Sequence, residues 1–424
     1  PPLFQAEDGI RDKQICLVGS EMCIRDSSNG VLYANANNSK ALFALRDLND
    51  NGLYETREML LETAGGVGHG RNDLTLGPDG RIYTIHGDSV RLPAGVKNRT
   101  PALLGAGSPQ GYLLSLDKQG ENRELWCVGL RNPYGIAFNT DGEAFTFDAD
   151  NEGDIGLPLY RPTRVNHLVS GANYGWRQAG ADSWPVYAPE SPPTTVDIGR
   201  GSPTAIEFGT ASHFPPDYRR SLFILDWAYG RIIRVQLIAR GASYVGQADL
   251  FLRGRPLNVT DLTFGADGAM YFITGGRGTS SALYRIRYHR SREVENRQDH
   301  PQDAARDAHA TQARATRKRL EAFHTDEREA PLELVFAHLD DADPWIRNAA
   351  RVALEHQQPS RWRARAIATG LPQGLLALLR VDADAPVETI IDAAQRRALG
   401  DLDRPSKLTI LRVHELAFGR QPPD

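Results

Sequence analysis

Alternating apolar and polar positions recur along the chain behind short Asn-Gly or Asp-Gly turns. The copies are NGVLYAN (29–35), PDGRIYTIHGD (78–88), TDGEAFTFDAD (140–150) and ADGAMYFITGG (266–276). Period-two alternation after such a turn predicts a β-hairpin. A fifth copy, RSLFILDWAYGRIIRVQL (220–237), carries a longer sequence between its strands. Spacings of roughly fifty to sixty residues fit four-stranded blades with decorated loops, so residues 29–290 are expected to form an all-β propeller. About five blades are visible, and a sixth would be truncated.

After Tyr288 the pattern changes. Residues 291–325 are charged and rich in Arg, Asp, Gln and Ala, which predicts a linker or a solvated helix. Residues 326–424 show helical spacing instead. Leu332, Leu334, Val335 and Leu339 make one apolar face, Asp343-Pro344 breaks it, and Ile346, Ala349, Ala350, Val352, Ala353 and Leu354 make the next. Helix, DxDP turn and Arg-containing helix resemble a HEAT repeat. Stretches 371–380, 386–399 and 404–417 continue the pattern, and such a stack serves as an interaction scaffold.

The bulk numbers add little chemistry. A chain of 424 residues with formal net charge -4 has room for two or three domains and no electrostatic footprint for nucleic acid. No run approaches the roughly 18 apolar residues of a membrane span. Forty glycines and twenty-six prolines suit turn-rich β structure. With Cys16 and Cys23 in the N-terminal tract, Cys127 stands alone, so no disulfide framework or zinc cluster is readable. QAEDGIRD (5–12) and LVGSEMCIRDS (17–27) resemble the translation, in frame and in order, of two pieces of a sequencing-library adapter. Residues 1–28 are therefore expected to be an artefact, disordered and outside the fold. The natural chain would begin upstream of Ser28, so a signal peptide cannot be read, and the chain is expected to be truncated at both ends.

Two acidic loops invite a hard cation. Asp47 to Glu58 fits D-x-[DN]-x-[DN]-G-x5-E in full. There Asp47, Asn49, Asn51 and Glu58 would give side-chain oxygens and Leu53 a carbonyl, with Glu55 at the ninth position. A calcium-bound connection between strands is expected, against a solvated turn. Asp148, Asp150, Glu152 and Asp154 would repel one another unless a cation or an arginine such as Arg161 or Arg164 neutralised them. His69 lies in a glycine-rich run just before a strand, where it could act as a general base or be merely structural. Arg131-Asn132-Pro133 also precedes a strand. The arginine fork suits carboxylates and quinone oxygens, or else loop carbonyls. Asn173 to Trp176 ends the same unit, for blade packing or ligand stacking. No G-x-S-x-G, P-loop, H-E-x-x-H, dinucleotide or C-x-x-C-H motif is present.

GHGRNDLTLGPDGRIY, LRNPYGIAF and RVNHLVSGANYGW together resemble the soluble quinoprotein glucose/sorbosone dehydrogenases. The closer likeness is to the large dehydrogenase-like propellers of planctomycete-type bacteria, which are often joined to HEAT repeats and a cytochrome c. The resemblance implies a six-bladed propeller with calcium and pyrroloquinoline quinone at the channel mouth. It implies His69 as catalytic base, Arg131 over the quinone and Asn132 as a neighbouring cofactor contact. FDADNEGDIG departs from the family's glycine-proline calcium loop. Two functions follow. One is a periplasmic or secreted quinone-dependent sugar or alcohol dehydrogenase passing electrons to a cytochrome or another protein. The other is a non-catalytic, calcium-stabilised propeller and helical-repeat module that binds carbohydrate or protein.

Overall fold

Four turns of the repeat join the first two strands of a sheet, and the fifth copy (220–237) covers the second and third strands of its own. A computed structural model of the protein describes residues 23–28, 30–36, 40–49, 51–66, 68–101, 110–158, 160–176, 189–289, 301–325, 327–397, 400 and 402–420. Among these residues five antiparallel-built sheets follow in chain order. The first holds β1 (Cys23–Ser28), β2 (Val31–Ala36), β3 (Ala41–Arg46) and β4 (Thr56–Glu62). The second holds β5 (Arg71–Leu76), β6 (Ile82–His86), β7 (Lys97–Asn98), β8 (Tyr112–Leu116) and β9 (Glu124–Cys127), with β7 added in parallel beyond β9. β10 (Tyr134–Phe138), β11 (Ala144–Asp148), β12 (Thr163–Leu168) and β13 (Val196–Gly199) form the third. The fourth holds β14 (Pro203–Phe208), β15 (Leu222–Asp226), β16 (Arg231–Arg240) and β17 (Ser243–Arg253), with the short helix α1 (Pro216–Arg219) between β14 and β15. The fifth has β18 (Val259–Phe264), β19 (Met270–Thr274) and β20 (Ala282–Ile286).

Gly30, Gly80, Gly142 and Gly268 occupy the same place in four of these hairpins. Each has φ between +68° and +77°, which an L side chain adopts only with strain. The hairpins therefore close where the repeat says they should. β5 packs on β1 and β10, β10 on β14, and β14 on β18, so the first strands of successive sheets stand side by side as the inner wall of a propeller.

The expectation for residues 1–28 is corrected at its end. Cys23–Ser28 is a strand that pairs with β2, Cys23 opposite Ala36 and Ser28 opposite Val31. An open sheet edge offers backbone donors and acceptors to any extended segment, whatever its origin. Residues 5–22 lie outside the described residues.

The helical region contains α2 (Pro301–Glu321), α3 (Leu332–Ala337), α4 (Pro344–Glu355), α5 (Arg363–Thr369), α6 (Pro372–Val381), α7 (Val387–Gln395) and α8 (Arg404–Phe418). The predicted break at Asp343-Pro344 is the start of α4. Asp343 accepts the N–H groups of Trp345 and Ile346 as N-cap, and Pro344 takes the first helical position. Its other oxygen accepts the Ala242 N–H at 2.7 Å, which ties α4 to the β16–β17 turn. Leu168, Val169, Ala172 and Ala242 of the propeller share one core with Leu320, Trp345, Ile346 and Ala349 of the helices. Among the described residues no helix is long and apolar enough to cross a membrane.

Candidate functional site

The site forms where the second and third sheets meet, at the start of their inner strands. His69 stands two residues before β5, and Asp88 two residues after β6. The chain turns so tightly between them that a Cβ on Gly87 would lie 2.7 Å from the His69 carbonyl carbon. That approach brings His69 Nδ1 within 2.8 Å of Asp88 Oδ1. A carboxylate only accepts, so the proton of the neutral ring sits on Nδ1 and Nε2 keeps its lone pair. The His69 side chain is 31% exposed and that of Asp88 only 2%. Asp88 Oδ2 accepts the indole N–H of Trp176 at 2.6 Å.

Trp176 reaches this point because the segment after β12 runs parallel to Val128 and Gly129, just past β9 of the second sheet. Tyr174 and Trp176 donate their backbone N–H groups to Val128 and Gly129. Gly129 has φ +80°, and a Cβ there would meet Asn173 Oδ1 at 2.3 Å. The Arg131 guanidinium lies over the Trp176 ring, 5.4 Å from its centroid. Its backbone carbonyl accepts the Asp88 N–H at 2.9 Å. His69, Asp88, Trp176 and Arg131 are thus one connected group.

The acidic loop wraps Arg131. Asp148, at the end of β11, accepts the backbone N–H groups of Arg131, Asn132 and Ala149. Burial pushes its carboxyl up, against Arg164 and those three N–H groups, which hold it down. Asp150 gives its carbonyl to Arg131 Nη1 and accepts the Tyr160 hydroxyl at 2.5 Å. Burial also raises the Asp150 carboxyl. Glu152 Oε2 lies 2.7 Å from Arg131 Nη2. Asp154 accepts the Asn151 side-chain amide at 2.9 Å. Asn132 Oδ1 accepts the Asn72 amide at 2.8 Å.

Three buried polar atoms in this group have no hydrogen-bond partner: Arg131 Nε, Asn72 Oδ1 and Asp150 Oδ1. Buried polar atoms are normally satisfied, so an unfilled donor and two unfilled acceptors within this group leave bonds that a ligand or water would complete. A ligand with both carbonyl or carboxylate oxygens and hydroxyl groups would complete them. The residues present fit a quinone on this ground, with both terminal nitrogens of Arg131 already engaged by its own loop.

The calcium expectation finds less. Among the described residues no group of three or more His, Cys, Asp or Glu side chains could hold a metal ion. Asp47 accepts the N–H groups of Asn49, Asn51 and Gly52. Asn51 Oδ1 accepts the Leu53 N–H, and Glu55 accepts the Leu48 N–H and the Asn49 amide. Glu58 stands on β4, paired with Arg46 at 3.3 Å. As folded, neither loop closes a calcium cage.

Three other histidines are packed into the interior. His86, His167 and His324 are fully buried, and burial pushes them down to about 3, about 4 and about 3. Sequence reasoning missed Asp88, although PDGRIYTIHGD ends on it. In the repeat it stands where Asp150 stands in TDGEAFTFDAD, so aligning the two copies marks both as acids on one rim of the propeller.

A profile of the family described as Glucose / Sorbosone dehydrogenase matches residues 31–285. The HIPL1 and HIPL2 proteins of Arabidopsis thaliana are 29% identical over 152 residues and 26% identical over 149. These matches take in 30% and 29% of this chain and 20% of each relative, so the chain spans about a fifth of the length of the curated relatives it matches. The PQQ-bound aldose sugar dehydrogenase of Streptomyces coelicolor is 16% identical with a TM-score of 0.44, over 61% of this chain and 76% of that one. The apo soluble aldose sugar dehydrogenase of Escherichia coli is 17% identical with a TM-score of 0.45, over 61% and 78%. At these scores the two structures carry no argument about activity.

Proposed function

The chain belongs to the glucose/sorbosone dehydrogenase family, and from that premise we propose that it is a quinone-dependent sugar or alcohol dehydrogenase working outside the cytoplasm. The observation that carries the reading is the His69–Asp88 pair joined through Trp176 to Arg131, with three unsatisfied polar atoms around it. Pyrroloquinoline quinone, when bound, supplies the acceptor for two electrons. His69 Nε2 takes the proton of the substrate hydroxyl as the carbon bearing it is oxidised. Asp88 keeps the proton on Nδ1 and steadies the imidazolium that forms. Arg131 and Asn132 hold the cofactor, and the cation favours negative charge developing on its oxygens.

Calcium is proposed at the Asp47–Glu58 loop, where the Asp47 carboxylate already gathers three backbone N–H groups and Glu58 would have to leave Arg46. No chemical step uses it. A sixth blade is proposed between the fifth sheet and the first, because no core cluster among the described residues joins those two sheets. The helical pairs are proposed as HEAT-like repeats, from the capped α3–α4 turn, with a protein electron acceptor as their partner.

The direct test is reduction of an artificial dye by the chain with pyrroloquinoline quinone, calcium and a panel of aldoses. Turnover is expected, and His69→Ala should lower it by about a hundredfold or more. Turnover equal in the variant would remove His69 as the base. No turnover with any sugar or alcohol, the fold intact, would favour a non-catalytic binding module.

A further inference from the structure

We infer that Glu152 is a built-in competitor for the anion-binding side of Arg131, so that an anionic cofactor binds this chain by displacing it. The inference rests on the reading of Arg131 as a quinone contact. Arg131 is enclosed by its own chain: the Trp176 ring lies against the guanidinium, and the Asp150 carbonyl takes Nη1. Glu152 takes Nη2 at 2.7 Å. These partners differ in how firmly they are fixed. Asp148 is buried on three backbone N–H groups, and Asp150 is held by Tyr160. Glu152 sits on a single 3-10 turn (Glu152–Asp154) whose N-cap side chain accepts none of the turn's backbone N–H groups, and its side chain is 65% exposed. It can swing into water without unmaking the loop.

Energetics favour the exchange. An ion pair with so exposed a carboxylate is weak, because water and salt screen it. A carboxylate or quinone oxygen facing a largely buried guanidinium, with Nε still to be satisfied, makes a stronger charge-assisted bond. Until the exchange, the Glu152 carboxylate on Arg131, with the Asp150 carboxyl close behind it, repels an incoming anion. Glu152 therefore tunes cofactor affinity through Arg131 and is a positioning residue.

The test is equilibrium binding of pyrroloquinoline quinone to the whole chain, followed by quenching of tryptophan fluorescence, for wild type, Glu152→Gln, Glu152→Asp and Arg131→Ala. Glu152→Gln should bind about fivefold tighter, the factor that an exposed ion pair commands, with a steeper loss of affinity as salt rises. Glu152→Asp keeps the charge and should stay close to wild type. Arg131→Ala should lose binding. If Glu152→Gln binds equally or more weakly, while Arg131→Ala still loses binding, the competitor role is overturned and the quinone reading stands. If neither wild type nor Glu152→Gln binds, both fall.

Discussion

Asp88 holds two donors at once, the imidazole Nδ1 of His69 and the indole nitrogen of Trp176. An asparagine of the same shape cannot. Its single carbonyl oxygen accepts from one of them, and its NH2 group then faces the other donor. Asp88→Asn should therefore lower kcat by about a hundredfold with KM little changed, since it alters the base and not the substrate contacts. Steady-state kinetics checks this, and a wild-type kcat would remove Asp88 from the machinery. His69, Arg131 and Asn132 were legible as candidates because glycine or proline next to a strand start flags each of them. Asp88 was not, because hairpin ends carry acids throughout this chain. Of the two readings of Asp148 to Asp154, a cation or an arginine, the sequence left open that the arginine would be Arg131 and that backbone N–H groups would share the Asp148 charge. Spacing shows that carboxylates are close but not which way they turn.

The docking of the helices on the propeller has its own chemistry at the scale of elements. Arg317 on α2 donates to Glu143, just before β11, which also accepts from His167 on β12. His167 Nδ1 meets Ser243 at 2.8 Å, and His324 bridges Ser170 and the Ala349 carbonyl. Burial keeps His86, His167 and His324 neutral well below the ordinary histidine value. In the unfolded chain all three protonate near 6.5, so below that the unfolded state binds more protons. Stability should be level above about pH 7 and fall as pH drops from 6.5 towards about 4 to 3, by up to about 1.4 kcal/mol per unit for each histidine. Glu143, held far below the usual carboxylate range by His167 and Arg317 against its desolvation, adds to the loss in the same direction. Melting temperatures at pH 7.5, 6 and 5 test it, and equal midpoints would contradict it. These elements were largely readable. The stretches 371–380, 386–399 and 404–417 became α6, α7 and α8. α5 (Arg363–Thr369) escaped notice because its pattern, RARAIAT, buries little beyond Ala366.

Over the whole molecule, two surfaces meet at different ends of the same strands. The turns at Asp79-Gly80 and Asp141-Gly142 lie at one end, where Arg314 and Lys318 of α2 approach Asp141. The strand starts and ends at His69, Asp88, Arg131 and Asp148 lie at the other. Helices thus clasp one rim of the second and third sheets, and the candidate site lies on the other. On the fifth sheet Ile273 and Leu283, opposite one another on β19 and β20, are exposed, as expected of a face that a further sheet would cover. The propeller was legible from its turn spacing. The closure of the ring was not, because it depends on strands that the repeat does not supply. The central claim is that the rim of the second and third sheets binds a quinone through Arg131. Calorimetric titration of pyrroloquinoline quinone into the whole chain, in calcium and again in excess chelator, tests it most directly. The account predicts saturable binding in calcium that Arg131→Ala abolishes; a flat titration, or binding that survives Arg131→Ala, would contradict it.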